Sequence, residues 1–101
     1  MEELILPEYQ DRFLDAFDEE QSWLKSIELR VAELLDKDPG LLFSHLYRLD
    51  VDEEILLRIL KNTSPDGLVE ALSHEIWKRQ KARVKSRRDH PQNLMLDQDI
   101  W

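Results

Sequence analysis

Between Pro7 and Asp36 the apolar residues Phe13, Phe17, Leu24, Ile27, Val31, Leu34 and Leu35 recur at three- and four-residue spacing. That keeps one face of an α-helix apolar at about 100° per residue, with Ala16 and Trp23 at the edge of the stripe. The pattern predicts a long amphipathic first helix. Its interior is broken once, at Glu20, and Asp18 with Gln21 has capping-box spacing, so residues 18–22 admit a kink or a boundary; one continuous helix is the simpler reading. Asp38-Pro39 then sets an N-cap before a proline at the first helical position, and Leu42, Phe43, Leu46 and Leu49 form the inward face of a short second helix ending near Leu49.

Asp50-Val51-Asp52 is a three-residue connection. Asp52 caps a third helix running to Lys61, and Glu53 and Glu54 sit in its positive first turn. Its inward residues are Leu56, Ile59 and Leu60. Asn62 and Thr63 close it, and Ser64-Pro65 opens a fourth helix by the logic of Asp38-Pro39. In that helix Leu68, Val69, Leu72, Ile76, Gln80 and Val84 make a stripe to about Arg88. The segment HPQNLMLDQDIW has no periodicity and reads as a tail.

The expected fold is all-α and four-helix bundle-like. The first and last helices are long and lie along each other, and the two short central helices form a helix-turn-helix-like hairpin. Residues 1–90 make a single domain and 91–101 a C-terminal tail. Its expected core is Phe13, Phe17, Leu24, Ile27, Val31, Leu34, Leu42, Phe43, Leu46, Leu49, Val51, Leu56, Ile59, Leu60, Leu68, Leu72 and Ile76.

Composition agrees with this picture. With 101 residues and 42% hydrophobic content the chain suffices for one core, and two glycines and four prolines suit long helices better than a turn-rich sheet. No cysteine is present, which removes disulfides and thiolate chemistry and fits a reducing, cytoplasmic compartment. MEELILPEYQ carries acids where a signal peptide needs bases, and no apolar run approaches the ~20 residues that span a bilayer. Neither secretion nor membrane insertion is expected.

Charge is unevenly distributed along the chain. The formal net charge is −8, yet Lys78, Arg79, Lys81, Arg83, Lys85, Arg87 and Arg88, seven of the fourteen basic residues, fall between Glu75 and Asp89 with no acid among them. On a helical projection Lys78, Lys81, Lys85 and Arg88 form one ridge and Arg79, Arg83 and Arg87 a second. Such a segment projects into water or lies against something negative. Residues 1–38 supply twelve acids against four basic residues, so the first helix is an available partner in the same chain or in a second copy. Charge complementarity within the chain or a homodimer is therefore the leading reading. Nucleic-acid binding is the alternative, although Trp77 is the only stacking group beside the run. Membrane-surface binding lacks apolar payload, since beyond Trp77 only Ala82 and Val84 are available.

The pattern LFSHLYRLDVDEEILLRILKN matches helix-turn-helix spacing, but its third-helix leading turn presents Asp52, Glu53 and Glu54, which phosphates would repel. Plain helix packing explains it better. No catalytic, cofactor-binding or metal-ligating set is assigned. His45, His74 and His90 are scattered without the spacing that puts two ligands on one helix face, and no serine has nucleophile context. Gly40 and Gly67 cannot make a phosphate loop. His74 with Glu70 and Glu75 reads as a solvated cluster. In the tail, Asp97, Asp99, Ile100 and Trp101 resemble the acidic, aromatic-ended tips with which some single-strand-binding proteins recruit partners; the simpler alternative is that Leu94, Met95, Leu96 and Trp101 fold back onto the helices, or cover the basic ridge with Asp97 and Asp99, or stay disordered.

DPGLLFSHLYRLDVDEEILLRIL followed by EIWKRQKARVKSRR resembles an uncharacterised family of small all-helical bacterial cytosolic proteins. The resemblance covers the second third of the chain and the last helix. It implies a small helical bacterial protein and carries over no activity, cofactor or site residue. The expected function is thus a non-enzymatic protein-interaction or adaptor domain that self-associates through its first and last helices.

Overall fold

The computed structural model describes residues 6–89, and every regular element among them is helical. A 3₁₀ turn, Asp11–Asp15, is followed by α1 (Phe17–Lys37), α2 (Pro39–Arg48), α3 (Glu53–Asn62) and α4 (Pro65–Asp89). Among these residues no helix is long and apolar enough to cross a membrane. The tail and its Asp97, Asp99, Ile100 and Trp101 lie outside the described residues.

Local chemistry sets the boundaries. Asp38 ends α1 and begins α2: Pro39 pushes it out of the helical region, to φ −156° and ψ 71°, while its carboxylate accepts from the Leu41 amide at 3.2 Å. Asp52 caps α3 by accepting from the Glu54 amide at 2.8 Å. Between them α2 closes in a Schellman motif. Asp50 is left-handed at φ 64°, the Val51 amide donates to Leu46 O at 3.2 Å, and the Asp50 amide donates to Tyr47 O at 3.0 Å. Val51 and Leu46, the pair such a motif brings together, are both buried.

The first helix differs from expectation. Its stripe predicts one helix from Pro7, but the chain breaks at Ala16 (φ −135°, ψ 85°). A continuous helix would separate positions 9 and 23 by about 21 Å. Instead the Tyr9 and Trp23 rings meet edge to face with centroids 5.1 Å apart, and Tyr9 meets Phe13 likewise at 5.2 Å. The break folds residues 6–15 back over α1 and α4, so Leu6, Tyr9 and Trp23 join the core. Phe17, beyond the break, is 70% exposed rather than buried.

Behind this aromatic corner the core is built by Ile27, Val31 and Leu34 of α1, Leu42 and Leu46 of α2, Leu56 of α3, and Leu72, Ile76 and Val84 of α4. α4 packs against α1 and α3, and α2 packs against α1. Leu60 is a second correction: α3 meets the core through Leu56 and Ile59, which turns Leu60 outward to 44% exposure.

Candidate functional site

Two surfaces are candidates, the basic stretch of α4 and an apolar groove between α2 and α3. On α4, much of the positive charge is already paired. Lys81 Nζ lies 3.1 Å from Glu20 Oε2, and the same oxygen accepts from the Trp77 indole and the Tyr9 hydroxyl, each at 2.8 Å. Lys81 also sits over the Trp77 ring, 4.8 Å from its centroid. Burial alone would raise the Glu20 pKa. The hydrogen bonds from Trp77, Tyr9 and Lys81 outweigh it and hold the carboxyl below its ordinary value. Burial and the contact with Glu20 push the Tyr9 phenol up in turn. Gln80 Oε1 completes the join by accepting from the Tyr9 amide at 2.7 Å.

In the last turn of α4, Arg88 forks onto Asp11, with Nε to Oδ1 at 3.0 Å and Nη2 to Oδ2 at 2.9 Å, and reaches Asp15 at 3.0 Å. Its guanidinium holds the Asp11 carboxyl below the usual range. Arg79 donates to the Leu49 carbonyl at 3.0 Å and lies 3.9 Å from Asp50, and Lys78 pairs with Glu75 at 3.4 Å. Thus Lys78, Arg79, Lys81 and Arg88 each have an acidic neighbour within the chain. Arg83, Lys85 and Arg87 are exposed with no ion-pair partner among the described residues. Arg83 and Arg87 share a face one turn apart, while Lys85 points about 200° away, so the three do not form one patch.

The second surface escapes a reading based on charge. Phe43 and Tyr47 of α2 and Leu56, Leu57 and Leu60 of α3 line a groove of about 410 Å³. Tyr47 is 72% exposed and Leu57 56%. Its sequence signal is the run Ile55, Leu56, Leu57, Ile59 and Leu60, which is more apolar surface than a ten-residue helix can bury on one neighbour.

His74 is exposed, with its ring 5.3 Å from that of Trp77. His45 is half-buried on α2, and burial, then Arg48, pushes its pKa down. Among the described residues no group of three or more His, Asp or Glu could hold a metal ion. Glu20 is the one buried carboxylate among the described residues, and its Oε2 is engaged by Tyr9, Trp77 and Lys81.

Comparison of the chain with protein-family models, with curated proteins and with solved structures finds no match in any of the three.

Proposed function

We propose that the protein is a non-enzymatic protein-interaction domain, built as a bundle-like scaffold whose α2–α3 hairpin docks an amphipathic helix of a protein partner. The observation that carries this reading is the groove itself. Two helices present Phe43, Tyr47, Leu57 and Leu60 around a common depression, the arrangement that takes the apolar face of a helix at i, i+3 and i+4 spacing. Exposed single leucines are ordinary on a protein surface, whereas apolar side chains gathered around one groove support a contact site. A cytosolic, bacterial setting belongs to the same proposal and rests on the cysteine-free sequence and the resemblance of its central segment.

Nucleic-acid contact through α4 is the second reading, favoured by Arg83, Lys85 and Arg87, which lack acidic partners among the described residues. The internal pairing of Lys81 and Arg88 weighs against it, because those cations would have to leave Glu20, Asp11 and Asp15 before releasing counterions from a phosphate backbone.

A photo-cross-linking amino acid in place of Leu57, compared with one in place of exposed Leu29 on α1, tests the groove. The reading expects a discrete polypeptide adduct at position 57 that is absent at position 29 and re-forms from purified components. Equal yields at both positions would overturn it.

A further inference from the structure

The exposed face of α3 carries a charge order that fits its own copy. Glu53, Leu57, Leu60 and Lys61 fall within about 100° around the helix, with Glu53 one turn before Leu57 and Lys61 one turn after it. All four are exposed. Neither Glu53 nor Lys61 has an ion-pair partner among the described residues, although most bases of α4 do. The helix is therefore negative at its start, apolar at its centre and positive at its end along one open strip.

We propose that the occupant of the α2–α3 groove is α3 of a second copy, paired antiparallel about a two-fold axis at Leu57. This rests on the reading of the groove as a helix-docking site. The symmetry does the matching. When Leu57 faces Leu57 of the partner copy, position 53 faces position 61 in both directions, so each dimer forms two Glu53–Lys61 pairs from one patch. Leu60 of each helix then enters the depression beside Tyr47 of the other. Parallel pairing would oppose Glu53 to Glu53 and Lys61 to Lys61 and is penalised. Exchange of α1 and α4 between copies has less to recommend it, because Glu20, Asp11 and Asp15 already hold the α4 cations of their own chain.

Sedimentation velocity of the full chain tests the pairing through charge. A face of this size is expected to give a dissociation constant on the order of 1–100 µM. Glu53→Lys and Lys61→Glu should each weaken the dimer by about tenfold or more, because each places like charges across both ends. An equimolar mixture of the two variants should restore dimer, since one chain then carries Lys at both positions and the other Glu at both. Circular dichroism checks that these exposed substitutions keep the helices. A wild-type monomer at all concentrations, or variants that dimerise like wild type, would overturn the proposal. The cross-link at position 57 separates the two failures. An adduct with a different polypeptide, or with residues 90–101 of the same chain, contradicts the second copy as occupant and leaves the groove reading standing; no adduct removes both.

Discussion

Trp77 and Glu20 lie 57 positions apart and share a 2.8 Å hydrogen bond through which the last helix holds the first. Tyr9 and Lys81 converge on the same carboxylate oxygen, so one buried acid ties together the N-terminal segment, α1 and α4. Removing it strands an indole N–H and a phenol O–H in the interior. Glu20→Ala is expected to lose about 3 kcal/mol of unfolding free energy, and Trp77→Phe, which keeps most of the ring and deletes one donor, about 1 kcal/mol. Urea denaturation followed by circular dichroism measures both; a neutral Glu20→Ala would remove the carboxylate from its structural role.

The positive residues of α4 should behave differently from one another. Lys81→Glu places a second carboxylate against Glu20 and should lower stability, whereas Lys85→Glu, at an exposed site with no partner among the described residues, should change it by less than about 0.5 kcal/mol. Paired thermal melts of the two variants make the comparison. Equal effects would mean that the Lys81 pairing contributes nothing.

Ser73 is fully buried, and its hydroxyl has no hydrogen-bond partner among the described residues. A buried unpaired hydroxyl destabilises, and alanine is the better helix former, so Ser73→Ala should raise the unfolding free energy by about 1 kcal/mol. A fall in the urea midpoint would show that the hydroxyl is satisfied.

Asp50 occupies the left-handed position of the Schellman motif, which suits glycine and strains residues with a Cβ. Asp50→Gly should stabilise by up to about 1 kcal/mol, and Asp50→Val should destabilise by a similar amount or more. The weak Arg79 contact at 3.9 Å is a small loss in either variant. Chemical denaturation of the pair reads the sign.

Acid should weaken the fold in two stages. His45 has a folded pKa below its ordinary 6.5, so its contribution is present above that value and is lost as pH falls through the folded one. Glu20 lies below its ordinary 4.5, so its contribution is present above that value and disappears at still lower pH. Tyr9 has the opposite sign. Its pKa is raised, so its contribution is complete below its ordinary 10.0 and is lost only as pH rises beyond it. Melting temperatures from pH 4 to 8 should show the first stage, and His45→Gln should flatten it; an unchanged profile in that variant would contradict the assignment.

The helices themselves were legible because apolar periodicity and the Asp38-Pro39 and Ser64-Pro65 pairs are local signals. The turn at Ala16 was not. Phe13 and Phe17 fit one helical stripe, and only the tertiary contact of Tyr9 with Trp23 and Glu20 reveals that the chain turns between them. The Schellman turn was hidden because an aspartate holds the place that glycine usually marks. The imbalance between the acidic first third and the basic last helix was visible in the sequence, but the pairs that Glu20, Asp11 and Asp15 make with Lys81 and Arg88 needed three dimensions. The groove went unread because Leu60 was counted as core and Leu57 was assigned nowhere, although five apolar residues on a ten-residue helix exceed what one buried face requires.

The most direct measurement is a dilution series of amide NMR spectra of the intact protein, over concentrations on the order of 10–500 µM. If α3 pairs with its own copy, shifts or broadening that grow with concentration should cluster on Phe43, Tyr47 and residues 53–61 and spare residues 78–88. Concentration dependence centred on α4, or none at all, would contradict the account.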